Sequence, residues 1–136
     1  MTSSAIETPA SSTAANLVPL IGRLLLAAIF LLSGANKLFA PGPTQAYIAA
    51  AGLPAPLVAY VVALVVEIGG GVLLVVGYQA RLAALALALF SVVAAFGFHH
   101  DFANQNQMIH FLKNIAIAGG LLQVFAFGPG GYSLRR

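Results

Sequence analysis

The run Val65-Val66-Glu67-Ile68-Gly69-Gly70-Gly71-Val72 decides how this chain must fold. Glu67 has about ten uncharged, mostly apolar residues on either side, so a helix drawn through that run carries a carboxylate near its middle. A charged side chain at the centre of a bilayer costs a few kcal/mol or more. Each glycine gives up about 1 kcal/mol of helix propensity relative to alanine. Both features demand neighbouring helices that answer them.

The composition fixes the surroundings of that helix. Of 136 residues, 60% are hydrophobic and only 7% charged, and the mean hydropathy is +0.96. A soluble domain carries roughly 25% charged residues because its surface meets water. A small fold exposes the most surface per residue, so this chain has too few polar side chains to cover itself. The reading is one integral membrane domain over residues 17–134, with the lipid bilayer as its first partner. Six basic and three acidic groups are spread thinly. With no basic tract among them, nucleic-acid binding is not expected. There is no cysteine, so the chain alone makes neither a disulfide nor a thiolate metal site.

Four apolar spans follow from length, since roughly 20 residues cross the hydrocarbon. Residues 1–16 are rich in Ser, Thr, Ala and Pro and are expected to form a disordered tail. This tail lacks the positive start and cleavage site of a secretory signal. Span one runs from Leu17 to about Leu38. At 100° per residue, Arg23, Ala27, Phe30, Gly34 and Lys37 fall on one of its faces. Pro41-Gly42-Pro43 stops that helix, and residues 45–51 are expected to form two short turns at the interface, where Tyr47 suits the depth. Span two covers about residues 57–77, with Tyr60, Leu64, Glu67, Gly71, Leu74 and Tyr78 on the face that should point inward. Span three, residues 82–98, has no ionisable side chain and reads as filler. Span four, residues 109–127, contains Lys113, Asn114 and Gly119-Gly120 and ends at Gly128-Pro129-Gly130-Gly131. The expectation is thus an all-α, four-helix membrane bundle. Arg23, Arg81, Arg135 and Arg136 bias both termini toward the cytoplasm by the positive-inside rule.

The chemistry-bearing residues gather in this scheme. Arg23, Glu67 and Lys113 are intramembrane charges, and Lys37 lies near a span end. An Arg23–Glu67 pair is the expected answer to the buried acid. Its structural alternative is an ion pair that only sets helix register. The ends of spans one and three meet the starts of spans two and four at one membrane face. That places Lys37, His99, His100, Asp101, His110 and Lys113 around one mouth, with Glu67 below and Asn114 one turn from His110. Such a path could receive a small anion, a proton or the carbonyl-bearing head of a quinone, which needs hydrogen-bond donors. The histidine spacing matches no metal motif, and no metal site is expected. Gly69–Gly71 and Gly119-Gly120 read as close-packing positions.

Several segments also resemble one family. Gly22-Arg23 and Phe30-Leu31-Leu32-Ser33-Gly34-Ala35-Asn36-Lys37-Leu38 in span one are followed by Gly52-Leu53-Pro54-Ala55-Pro56. Then come Glu67-Ile68-Gly69-Gly70-Gly71-Val72-Leu73-Leu74-Val75-Val76-Gly77 and Arg81. Phe111-Leu112-Lys113-Asn114, Gly119-Gly120-Leu121-Leu122 and Gly130-Gly131-Tyr132-Ser133-Leu134 complete the order. Together they resemble the DoxX family of small four-helix bacterial inner-membrane proteins. The family commonly ends its last motif with Asp where this chain has Arg135. The resemblance implies the membrane subunit or anchor of an oxidoreductase, with a quinone as the possible cofactor. The family is named for such a subunit of a thiosulfate:quinone oxidoreductase, and most members have no assigned reaction. With no cysteine and no recognisable flavin or haem motif, the redox centre for such chemistry would come from a partner protein. On these grounds Arg23, Lys37, Glu67, His110, Lys113 and Asn114 are the candidate ligand-binding residues. The alternatives are a small-solute or proton permeation protein using the same path, and a purely structural membrane partner.

Overall fold

The computed structural model describes residues 9–134, and Arg135 and Arg136 lie outside the described residues. Helix α1, Pro9–Leu38, is the first span. It starts within the stretch expected to be a tail, whose residues 1–8 lie outside the described residues. Proline is tolerated in a helix's first turn, where its missing N–H would have no partner. Helix α2, Pro41–Ala50, is short. Its prolines, expected only to end α1, also start this helix, because Pro41 and Pro43 occupy positions whose N–H groups are free in any case.

The second span is α3, Pro56–Val76, and it is not uniform. Its middle, Val65–Gly69, is a π-helical turn, wider than the α-helix on either side. Helix α4, Ala80–Phe98, and helix α5, Gln105–Phe127, complete the four helices among the described residues that are long and apolar enough to cross a membrane. Asn104 caps α5 by accepting from the Gln107 N–H at 3.2 Å.

Neighbouring spans pack antiparallel in chain order. Helix α1 lies on α3, α3 on α4, and α4 on α5 in the most extensive contact of the bundle, while α1 and α5 barely touch. The bundle is therefore a ring left nearly open along the α1–α5 seam. The side chains of Leu74, Leu87 and Leu121 are fully buried at its centre, among Ala27, Phe30, Ala84, Ala88 and Ala118. Small alanines let α4 approach both neighbours closely. Large apolar residues such as Leu25, Leu32, Val65 and Val93 face outward, as a lipid solvent allows.

The face of α1 expected to turn inward does so. Arg23, Ala27, Phe30 and Gly34 are buried and Lys37 is half-buried. The glycines divide according to what faces them. A Cβ on Gly71 would stand 2.7 Å from Leu31 Cδ2, on Gly70 2.8 Å from Leu87 Cγ, and on Gly34 2.6 Å from Ile68 Cγ1. These are close-approach positions, and Gly120 meets Leu26 at 3.4 Å. Gly69 and Gly119 face open space, so the packing role expected for them does not hold.

Candidate functional site

Glu67 finds its counter-ion at the end of α1. Its Oε1 lies 2.9 Å from Lys37 Nζ, with the glutamate side chain 5% exposed and the lysine side chain 26%. The contact is an ion pair rather than an aligned hydrogen bond, and Nζ also donates to Ser33 Oγ at 2.8 Å. Ser33 precedes Lys37 by one turn, the spacing at which helical side chains meet. Tyr60 O–H, two turns before Glu67 on α3, donates to the Lys37 carbonyl at 2.7 Å. The same carbonyl, at the end of α1, also accepts from the Ala40 N–H at 3.2 Å.

Two local features set this geometry. Gly34 lets α1 come within side-chain reach of the α3 turn that carries Glu67. The π-helical turn places Glu67 in a locally widened stretch of α3, a distortion found often at functional sites. Beside the half-exposed edge of Lys37 opens a notch of about 500 Å³, lined by Ile29, Leu32, Ser33, Asn36, Lys37 and Thr44 among others. It offers hydroxyl and amide groups next to an ammonium and faces sideways, toward lipid and the interface.

The expected Arg23–Glu67 pair does not form. Residues 23 and 37 are about 21 Å apart along α1 at 1.5 Å per residue. In an antiparallel pair this puts Arg23 level with the end of α3 rather than with its middle. There the guanidinium is 1% exposed. Its Nη1 donates to the Leu74 carbonyl at 2.7 Å and to that of Val75 at 3.4 Å, and its Nη2 donates to the Tyr132 carbonyl. Arg23 thus ties the end of α3 to the segment after α5. Leu134 N–H adds a bond to the Val76 carbonyl at 2.9 Å. Gly77 makes room for this knot, since its φ of +73° favours glycine and a Cβ would stand 2.6 Å from Arg23 Nη1.

The single mouth expected around the histidines is two separate groups. The imidazoles of His99 and His110 stack with centroids 5.2 Å apart, and His100 Nδ1 lies 2.9 Å from the Phe96 carbonyl. Burial pushes the His99 imidazole below its ordinary value of 6.5, and the facing His110 pushes it the same way. Asn114 donates to the Ser91 carbonyl at 3.4 Å, a bond between α5 and α4. His110 and Lys113 are exposed. None of His110, Lys113 and Asn114 lines the notch beside Lys37, because α5 packs on α4 while the ion pair lies between α1 and α3. Tyr47 of α2 stacks on Phe98 at the end of α4, centroids 5.1 Å apart. Among the described residues no three His, Asp or Glu side chains converge as metal ligands would.

Four residues of the site escaped the sequence reading: Ser33, Asn36, Thr44 and Tyr60. Ser33 and Tyr60 were findable, one by its spacing to Lys37 and the other by sharing the Glu67 face. Thr44 was not, because its place depends on α2 folding back over the end of α1.

Four antiparallel apolar spans around one buried ion pair define a small multi-pass membrane protein with a polar notch at one end. The chain belongs to the DoxX family, whose sequence profile matches residues 18–100. The inner membrane protein YqjF of Escherichia coli (strain K12) is 37% identical over 117 residues, 86% of this chain and 88% of that protein. Inner membrane protein YphA of the same strain is 34% identical over 123 residues, 86% and 87% of the two chains. No solved structure matches the chain. It is accordingly a multi-pass protein of the bacterial inner membrane.

Proposed function

We propose that this chain is a membrane subunit serving an oxidoreductase, and that the notch beside the Lys37–Glu67 pair holds a quinone-sized head group. The observation that carries the reading is the half-exposed ammonium of Lys37, held by Ser33 and Glu67 and flanked by Asn36 and Thr44. A quinone head presents carbonyl oxygens that accept hydrogen bonds, and this lining supplies an ammonium, an amide and hydroxyls as donors. When bound, the quinone would supply two-electron, two-proton carrier chemistry, with electrons drawn from the redox centre of a partner. Lys37 and Asn36 orient the head. Ser33 and Glu67 together hold the ammonium, Glu67 as its counter-ion at 2.9 Å. The ion pair then does more than set register, because one of its members faces the notch.

The permeation reading has less to support it. The polar residues do not continue from Glu67 to Arg23, and between them the interior is filled by Leu74, Leu87 and Leu121.

Equilibrium binding of a short-chain quinone to the detergent-purified protein tests the proposal. A charge-assisted hydrogen bond contributes about 1.5–3 kcal/mol, so Lys37→Gln should weaken binding by about 10- to 100-fold. Glu67→Gln should also weaken it, and Lys113→Gln should not. Unaltered affinity in Lys37→Gln, or no saturable binding to the wild-type protein, refutes it. A co-purifying redox protein would identify the partner.

A further inference from the structure

The seam between α1 and α5 is a second site, unrelated to the notch. It forms a cleft of about 500 Å³ walled by Gly22, Leu25 and Leu26 of α1 and by Gly120, Val124 and Phe127 of α5. The two walls run for about 10–12 Å at 1.5 Å per residue. Both belong to membrane-crossing helices, so what enters laterally comes from the bilayer and is an apolar chain. Gly22 keeps the cleft open, since a Cβ there would meet nothing within 4 Å.

Charge marks the interfacial end. Gly128, which lines the cleft, is covered by the guanidinium of Arg81, whose Nη2 would stand 3.1 Å from a Cβ at that position. Arg81 is exposed, and its one hydrogen bond, from Nη1 to the Ala126 carbonyl, is long at 3.4 Å. Most of its donors are therefore free. Arg23 forms part of the cleft wall, with a buried Nε–H that has no acceptor. Among the described residues the acids are Glu67, paired with Lys37, and Asp101, on the loop at the opposite membrane face. Among the described residues, no acid faces the positive charge at this end of the cleft.

We infer that the α1–α5 cleft is a binding site for an anionic phospholipid, with an acyl chain between the helices and the phosphate on Arg81. A planar guanidinium pairs a phosphate through two parallel hydrogen bonds. With no acid among the described residues at this end to receive a headgroup ammonium, an anionic lipid is favoured over a zwitterionic one.

Native mass spectrometry of the full chain, released from nanodiscs of equal phosphatidylglycerol and phosphatidylcholine, tests this. An arginine near a charged membrane surface is expected to favour the anionic lipid about fivefold. Arg81→Gln, a change at an exposed position, should bring the retained ratio to near one. Gly22→Leu should lower retention of both lipids, and soluble glycerol phosphate should not displace the bound lipid. Equal retention of the two lipids by the wild-type chain overturns the inference, as does an unchanged ratio in Arg81→Gln. Retention in Gly22→Leu equal to that of the wild type, with helical content intact by circular dichroism, overturns the acyl-chain placement. Displacement by glycerol phosphate would assign the site to free phosphate instead.

Discussion

Replacing Lys37 with methionine isolates what holds Glu67 in the bundle. The glutamate side chain is 5% exposed and Lys37 is its ion-pair partner, so the variant leaves a carboxylate inside the membrane with no counter-ion. Breaking a buried pair from one side costs about 3–5 kcal/mol. Removing the other partner, as Glu67→Leu, leaves an ammonium that keeps Ser33 and the open notch, and should cost less, about 1–2 kcal/mol. Removing both leaves two apolar side chains in contact, a change that is often close to neutral. The double-mutant cycle should therefore give a coupling of about 4–7 kcal/mol, more than the roughly 0.5–3 kcal/mol that contacting residues commonly show. Loss of helical circular dichroism on titrating the detergent-solubilised protein with sodium dodecyl sulfate would measure each variant. If both single changes cost less than about 0.5 kcal/mol and add in the double variant, the pair does not hold the helices together. A larger loss for Glu67→Leu than for Lys37→Met would also contradict the argument, because it would mean that the ammonium is the more deeply committed charge.

Four further outcomes follow from the same geometry. Gly34→Ala puts a Cβ 2.6 Å from Ile68 Cγ1 and should destabilise the bundle by about 1–3 kcal/mol. Gly69→Ala, which meets open space, should raise stability by up to about 1 kcal/mol in the same titration. Arg23→Lys should fail to replace arginine, because one ammonium cannot span the Leu74 and Tyr132 carbonyls that the guanidinium fork joins. Limited proteolysis should then cut within residues 128–134, and equal protection in Arg23→Lys would refute the tethering role. His99 favours its neutral form when folded, so the unfolded chain binds the extra proton. Its contribution is present above pH 6.5 and is lost as pH falls through the lower folded value. Melting temperatures between pH 8 and pH 5 should fall more steeply in the wild type than in His99→Phe, and parallel curves would contradict this.

Much of the bundle was legible because a 3.6-residue period reports the azimuth of a side chain. Arg23, Ala27, Phe30, Gly34 and Lys37 lie on one line of α1, and all turn inward. Azimuth carries no depth, however. Both Arg23 and Lys37 point at α3, and choosing between them required the antiparallel register, which is set by how closely Gly34 approaches Ile68. The π-helical turn was also hidden, because nothing in Val65–Gly69 marks an i→i+5 pattern and packing against α1 and α4 decides it. The histidines misled for a related reason. Connectivity placed them at the same membrane face as Lys37, but packing order placed them across the bundle.

The Arg23 knot has a consequence for how the protein is made. Its bond to Tyr132 joins residues 109 apart in sequence. At roughly 5–20 residues per second, ribosomes need about 5–20 s to travel that far. During that interval the first span resides in the bilayer with a guanidinium short of acceptors, first lacking the carbonyls of Leu74 and Val75 and then that of Tyr132. The bundle cannot close on it until residues 128–134 have left the ribosome.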